Sequence, residues 1–275
     1  MRDIPNRRSA SSAIAVFRRY VTDFVNRHDF SAIGEFMAED YTLISSGHRV
    51  SSRDGAYRSA VARQLDQFPG LVFTPHEIVH VGDRIAIRFT EHGADARDGR
   101  RAAWPSIAIY RVQGGLLASC NIEQDYLSRR RQLQSGNPVL IDAPAIAPWD
   151  TAEASPDPEA QAAVTAWLND GTFIRTAAVQ IDDSRTTGVI DRIIDGGALE
   201  FLDIVSGDGK VAFHAIQSGP LAGDFGSEIG AGAGQQAFIH LSGLVTVSER
   251  EIISGNVIRD RLGLHRRLGS QASAN

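Results

Sequence analysis

CNIEQDYLSRRRQL (Cys120–Leu133) and GNVIRDRLGLHRRL (Gly255–Leu268) are one phrase written twice. Each reads Asn, a β-branched residue, two residues, Asp, one residue, Leu, three residues, Arg, one residue, Leu. Self-similarity at this separation means two units of one architecture in a chain of 275 residues. Each copy reads as the last strand of its unit, running into an arginine-rich amphipathic end.

Upstream of the first copy the hydrophobic period is two. Segments 71–80, 84–92, 102–112 and 116–127 alternate as strands, joined by VGD, ADARDG and QGG, which are turn compositions. Before them the period is helical. Ile14, Phe17, Val21, Phe24 and Val25 share one face, a short second helix carries Ile33, Phe36 and Met37 inward, and YTLIS (41–45) reads as a strand. SRDGAYRSAVARQLDQF (52–68) returns to helix, with Tyr57, Val61, Leu65 and Phe68 on a stripe and Ser52 as N-cap. Helices followed by a long antiparallel meander predict an α+β layer, a curved sheet wrapped on helices with a conical pocket at its open end.

Five of the chain's ten prolines fall in QSGNPVLIDAPAIAPWDTAEASPDPEA, which has neither period and reads as a linker over 134–158. The programme then restarts. EAQAAVTAWLND is helical, TAAVQID is strand-like, RTTGVIDRIID reads as a helix carrying Val189, Ile190, Ile193 and Ile194, and a second meander ends in the second copy of the phrase. The predicted domains are therefore 1–133, with the active cone, and 159–275, more weakly written, flanking that linker.

Composition narrows the function classes. Hydrophobic content of 43% and charged content of 22% suit a globular protein with real cores, and a net charge of −5 gives nucleic acid no electrostatic footing. No apolar run approaches the roughly 20 residues needed to cross a bilayer. The basic N-terminus is broken by Arg18 and Arg19 too early for a secretory h-region. One cysteine, Cys120 in a β-like run, excludes an internal disulfide and suits a reducing cytoplasm. No phosphate-cradle or paired-cysteine motif is present, and the glycine-rich GSEIGAGAGQQ lies between strand-like runs as a hairpin loop.

Strand alternation selects candidate site residues. On LASCNIEQDYL, Ser119, Asn121, Glu123 and Asp125 share one face, and Ala118, Cys120, Ile122 and Gln124 the other. If the acidic face lines the cone, Asp125 and Glu123 are acid/base candidates with raised pKa, and Asn121 binds substrate. His48, in the loop before the third helix, is expected at the pocket rim as a proton carrier. Trp104 can stack on an aromatic substrate. Glu91 and His92 end a strand beside a glycine and are a candidate dyad, but neighbours on a strand point to opposite faces, so at most one enters the cavity; Glu91 is counted with Asn121 and Trp104 as substrate-binding. His76 and His80 share a face but have no third ligand, so no metal is expected, nor any cofactor.

Both halves resemble the nuclear transport factor 2-like superfamily, in particular its SnoaL-like polyketide cyclase and ketosteroid isomerase branch, over about 16–133 and 159–268. RRYVTDFVNRHDFSAI is similar to the first helix of ketosteroid isomerases, which implies that Tyr20 enters the cone as the tyrosine that hydrogen-bonds a developing oxyanion. That family's two aspartates correspond to Ser45 and Ala108, which argues against steroid isomerisation by its apparatus. Asp125 matches the acidic residue that ends the last strand of SnoaL-like cyclases. In the second unit Asn256 and Asp260 repeat the phrase, but Ile258 replaces Glu123, Ala163 stands near the Tyr20 position and DDSR stands for the His48 loop. Asp182, Asp183 and His214 remain candidates for a second site. The resemblance implies that the units pair through their sheets as an intrachain pseudo-dimer, which leaves room for a homo-oligomer.

The leading expectation is a cofactor-independent lyase, isomerase or cyclase acting on a hydrophobic, aromatic or polyketide-like small molecule. Asp125 or His48 would move the proton and Tyr20 hold the oxyanion. The alternatives are a non-catalytic small-molecule binding or assembly module, and an epoxide hydrolase/cyclase, whose usual Asp–Arg–Asp network the sequence alone does not assemble.

Overall fold

The computed structural model describes residues 12–171, 173–223, 225 and 232–272. Helix α1 (Ala13–Arg19) continues without a break as a π-helical segment, Tyr20–Val25, and together they bury Val16, Phe17, Tyr20, Val21 and Phe24. A single turn, Ile33–Glu35, stands where the periodicity predicts a second helix, and Met37 opens β1 (Met37–Ser45) instead. Strand β1 folds back through Ser46 and Gly47, at φ 53° and 75°, onto β2 (His48–Ser51). Two successive left-handed residues make the tight hairpin turn that matches strand twist. His48 is thereby an exposed residue of an edge strand rather than part of a loop at the pocket rim.

A further π-helical segment, Ser52–Tyr57, leads into α2 (Arg58–Gln67). The segment begins at Ser52 itself, with Ser51 as a cap that makes no side-chain bond, and the Ser52 hydroxyl accepts from the Gly55 N–H at 3.2 Å. The meander follows as β3 (Val72–Val81), β4 (Arg84–Ala94), β5 (Arg101–Gln113) and β6 (Leu116–Gln124), then α3 (Tyr126–Ser135). The sheet order is β2-β1-β6-β5-β4-β3, with β1 parallel to β6 and every other pair antiparallel.

The repeated phrase is now explained as strand, cap and helix. Asp125 leaves β6 and accepts the Ser128 N–H at 3.0 Å as the N-cap of α3. In the second copy Asp260 accepts the Gly263 N–H at 2.8 Å in the same way. A carboxylate at this position satisfies an orphan donor and meets the positive end of the helix. The phrase is therefore written twice because the same strand-to-helix corner is built twice.

The linker is strapped to the free edge of β3. Ala145 and Ala154 donate backbone hydrogen bonds to the carbonyls of Pro75 and His80, and Trp149 packs on the first core. This covering blunts an edge that would otherwise invite pairing. The second unit comprises α4 (Pro158–Asn169), β7 (Val179–Ile181), the single-turn α5 (Ser184–Thr187), β8 (Ala198–Gly207), β9 (Lys210–Pro220), β10 (Gln236–Ser248), β11 (Glu251–Arg259) and α6 (Arg261–Ala272). Its sheet order is β7-β11-β10-β9-β8, with β7 parallel to β11 as β1 is to β6. The helix predicted over RTTGVIDRIID is reduced to α5. Gly188 ends it in the left-handed conformation, Val189 and Ile190 are exposed, and Ile193 and Ile194 bury themselves in extended chain against Leu221 and Ile239. Residues 226–231 of the glycine-rich stretch lie outside the described residues. Neither sheet closes into a barrel; each is an open curved layer over its helices.

The convex faces of the two sheets pack on each other, and their registers match. Val79 pairs with Ala86 and Ala86 with Ile109 in the first sheet; Val205 pairs with Ala212 and Ala212 with Leu244 in the second. These six, with Ile107 and Ile258, form one buried apolar cluster between the units. Matching apolar triplets, Val–Ala–Ile on one face and Val–Ala–Leu on the other, bring the sheets together as a pseudo-dimer within one chain.

Candidate active site

The concave face of the first sheet is the inside of the cone, and the inward set on β6 is Cys120, Ile122 and Gln124. The acidic face of that strand looks the other way, toward the second unit. This reverses the expected orientation and moves three residues out of the cone. Asn121 donates to Asp203 of β8 at 2.7 Å. Glu123 meets His214 of β9, its Oε1 3.1 Å from Nε2.

Asp125 is sealed between the units. Its two carboxylate oxygens lie 2.9 and 2.8 Å from one guanidinium nitrogen of Arg261. The same guanidinium also reaches Asp182 at 3.3 Å and Asp183 at 2.8 Å. Asp182 is held further by Arg259, at 2.9 and 2.6 Å from the side chain and 2.8 Å from the backbone N–H. An Asp–Arg–Asp arrangement thus exists in the protein. It is buried at the interface, where guanidinium and backbone donors take both oxygens of Asp125 and of Asp182, so it holds the units rather than lining a substrate cavity. Burial, with Asp182 and Asp183 nearby, pushes the Asp125 carboxyl up to about 6 against the pull of Arg261. As a capped, ion-paired carboxylate it is not the cone's proton carrier, and neither is the outward-facing His48.

Inside the cone stands a different constellation. Tyr20 and Tyr57 share a hydrogen bond, hydroxyl to hydroxyl, at 3.0 Å. Tyr41 packs edge-on against Tyr57 with ring centres 4.9 Å apart, and Tyr110 lies 5.6 Å from the Tyr20 ring. All four phenols are buried, and the Tyr41 hydroxyl has no hydrogen-bond partner among the described residues. Burial pushes all four above the ordinary phenol range, so each is a protonated donor at neutral pH. Burial likewise raises the Cys120 thiol beside them, which makes it an inert packing group.

Glu91 closes the same face where α2 crosses the strands. The side chains of Gln64, Trp104 and Gln124 donate to its Oε2 at 2.7, 3.0 and 2.8 Å. Burial raises the Glu91 carboxyl above the usual glutamate range, outweighing those three hydrogen bonds and the charge of Arg129. Its neighbour His92 turns to the opposite face and bonds Thr74 at 3.0 Å. Trp104, expected to stack on substrate, is fully buried against Phe68 and spends its N–H on Glu91, so it positions the carboxylate. His76 and His80 engage Ala143, Thr90 and Gly82 by hydrogen bonds and converge on no common point.

Tyr57, Gln64 and Gln124 are site residues that sequence reasoning did not select. Gln124 was legible as a polar side chain on the otherwise apolar inward face of its strand. In the second unit the corresponding strand position is Arg259, committed to Asp182. The cone itself packs Val164, Trp167, Phe173, Phe213 and Leu241.

Residues 17–120 match the family model of the SnoaL-like domain. No curated protein matches the chain. Among solved structures it is similar to IdmH of Streptomyces antibioticus, proposed to be a polyketide cyclase, at 19% identity over 44% of this chain and 98% of that one, with a TM-score of 0.41. A SnoaL-like polyketide cyclase of Agrobacterium tumefaciens gives 19% identity, 44% and 98% coverage and a TM-score of 0.39. AclR of Streptomyces galilaeus, proposed to be a hydroxylase, gives 19% identity, 45% and 96% coverage and a TM-score of 0.40.

Proposed function

We propose, from the premise that residues 17–120 form a SnoaL-like domain, that the first unit is a cofactor-independent acid–base catalyst. The substrate is a hydrophobic small molecule of the aromatic or polyketide class, and the reaction is a lyase, isomerase or cyclase step. Glu91 carries the proton. The Tyr20–Tyr57 pair donates to the enolate or phenolate oxygen that forms when the proton leaves carbon. What supports this reading is that one inner face of the sheet and helix layer carries both a carboxylate raised by burial and fixed through one oxygen, and phenols that stay protonated. Such a carboxyl exchanges protons closer to neutrality than a free one, and fixed donors stabilise developing charge without reorganising.

The cone is filled by its own aromatic rings, so productive binding requires the α1 and α2 layer to part from the sheet. That filling is also the observation favouring a non-catalytic binding or assembly module. Deuterium exchange separates the two readings. With 2-tetralone, an enolisable bicyclic aromatic ketone, the protein is expected to accelerate exchange of the protons beside the carbonyl in D₂O, followed by NMR. Glu91→Gln should return the rate to that of buffer, and Tyr20→Phe should lower it by roughly 10²-fold, the scale of losing one oxyanion donor. Saturable binding without any accelerated exchange by the wild-type protein would leave the binding module as the function.

A further inference from the structure

Glu123 of β6, His214 of β9 and His240 of β10 meet where the two sheets face each other. Their exposures are 0%, 0% and 4%. One carboxylate oxygen and one nitrogen of each imidazole lie within 4.8 Å of one another. The two imidazoles are 5.8 Å apart, centre to centre, and inclined by 38°.

The hairpin turn between β1 and β2 fixes this cluster from the first unit. The Ser46 N–H and hydroxyl hold the Glu123 oxygens at 2.9 and 3.1 Å. Gly47 passes so close that a Cβ there would stand 2.7 Å from His240 Nε2. Polar atoms are nevertheless left over. The Nδ1 atoms of His214 and His240 and the hydroxyl of Ser242, which is opposite His214 in the strand register, are buried without hydrogen-bond partners among the described residues. Buried polar atoms without partners are rare in folded proteins, and here they sit in the two imidazole rings of the cluster and on the residue paired with one of them.

We propose that Glu123, His214 and His240 form an interdomain site for a divalent transition metal of the zinc class, with a water or the Ser46 hydroxyl as fourth ligand. Two nitrogens and a carboxylate oxygen are a donor set such ions take, at about 2.0–2.2 Å from each ligand. Two ligands at that distance and a tetrahedral angle stand about 3.3 Å apart, close to the 3.1 Å between Glu123 Oε1 and His214 Nε2. His240 completes the site by a small movement of its ring. Because the carboxylate belongs to the first unit and both imidazoles to the second, the ion ties the halves together. The site is separate from the cone, so its fate is independent of the acid–base reading.

The test uses the full chain, stripped with a chelator and titrated with Co²⁺ and Zn²⁺. One equivalent of Co²⁺ should bind with visible d–d bands of low coordination number, Zn²⁺ should displace it, and Zn²⁺ should raise the melting temperature. His240→Ala should weaken binding at least tenfold and remove the thermal shift, whereas His265→Ala, on α6 and outside the cluster, should leave both unchanged. Should Glu123→Gln or His214→Gln fail to fold, the wild-type stoichiometry and the His240→Ala comparison still decide. Absence of stoichiometric binding by the wild-type chain, or binding indifferent to His240→Ala, overturns the proposal and leaves ordered water as the occupant.

Discussion

The Arg261 guanidinium, at the start of the last helix, grips both carboxylate oxygens of Asp125, at the start of the helix that ends the first unit. The contact crosses the interface and is 1–2% exposed at both ends. Removing the cation leaves Asp125, Asp182 and Asp183 crowded without it. Breaking a buried pair from one side typically costs about 3–5 kcal/mol. Arg261→Met is expected to lose that much in urea denaturation at neutral pH; a loss below about 1 kcal/mol would show that the interface does not depend on it.

Glu91 gives a pH signature with a definite sign. Its carboxyl is raised in the folded state, so its contribution to stability is fully present below the unfolded glutamate value and is lost as pH rises through the folded one. Glu91→Gln keeps an oxygen for Trp104, Gln64 and Gln124 but cannot ionise. The variant should therefore gain on the wild type as pH rises from the ordinary glutamate range toward neutrality. Melting temperatures of the two proteins across that range measure it, and parallel curves would refute the raised carboxyl.

Tyr20 and Tyr57 share one hydrogen bond, so their losses should not add. Tyr20→Phe and Tyr57→Phe are each expected to cost about 0.5–1.5 kcal/mol. The double variant should cost clearly less than the two together, because each single change already breaks the shared bond. Strict additivity in a thermal-denaturation cycle would mean that the hydroxyls are not partners.

The apolar triplet Val79, Ala86 and Ile109 packs in one buried cluster with Val205, Ala212, Leu244 and Ile258 of the second unit. Residues 1–135 expressed alone should self-associate through that face, as a dimer or larger species in size-exclusion chromatography. A stable monomer would show that the pairing of sheets contributes little.

The architecture was largely legible because period and punctuation are local properties. Strands 84–92 and 102–112 show in alternation, and the linker shows in its prolines. What failed did so for nonlocal reasons. The helix expected at Ile33, Phe36 and Met37 gives way to a strand because Met37 and the residues after it pair with β6, far along the chain. The pattern of β6 correctly set Glu123 and Asp125 apart from Cys120 and Gln124. Alternation cannot say which side is hollow, and a second sheet covering the convex face inverted the assignment. Glu91 was legible as a candidate, but its three donors come from α2, β5 and β6, and only the folded chain brings them to one oxygen.

The turn at Ser46 and Gly47 and the imidazoles of His214 and His240 show what two units in one chain permit. In a two-fold homodimer every patch must complement itself, and each acid facing a base across the axis appears in duplicate. Here Glu123 has Ile258 at its related position, so the acid is written in one half and its bases in the other. Two units in one chain need not be identical, so one seam carries an acid and its bases at a single spot while the apolar contact around it stays alike on both sides.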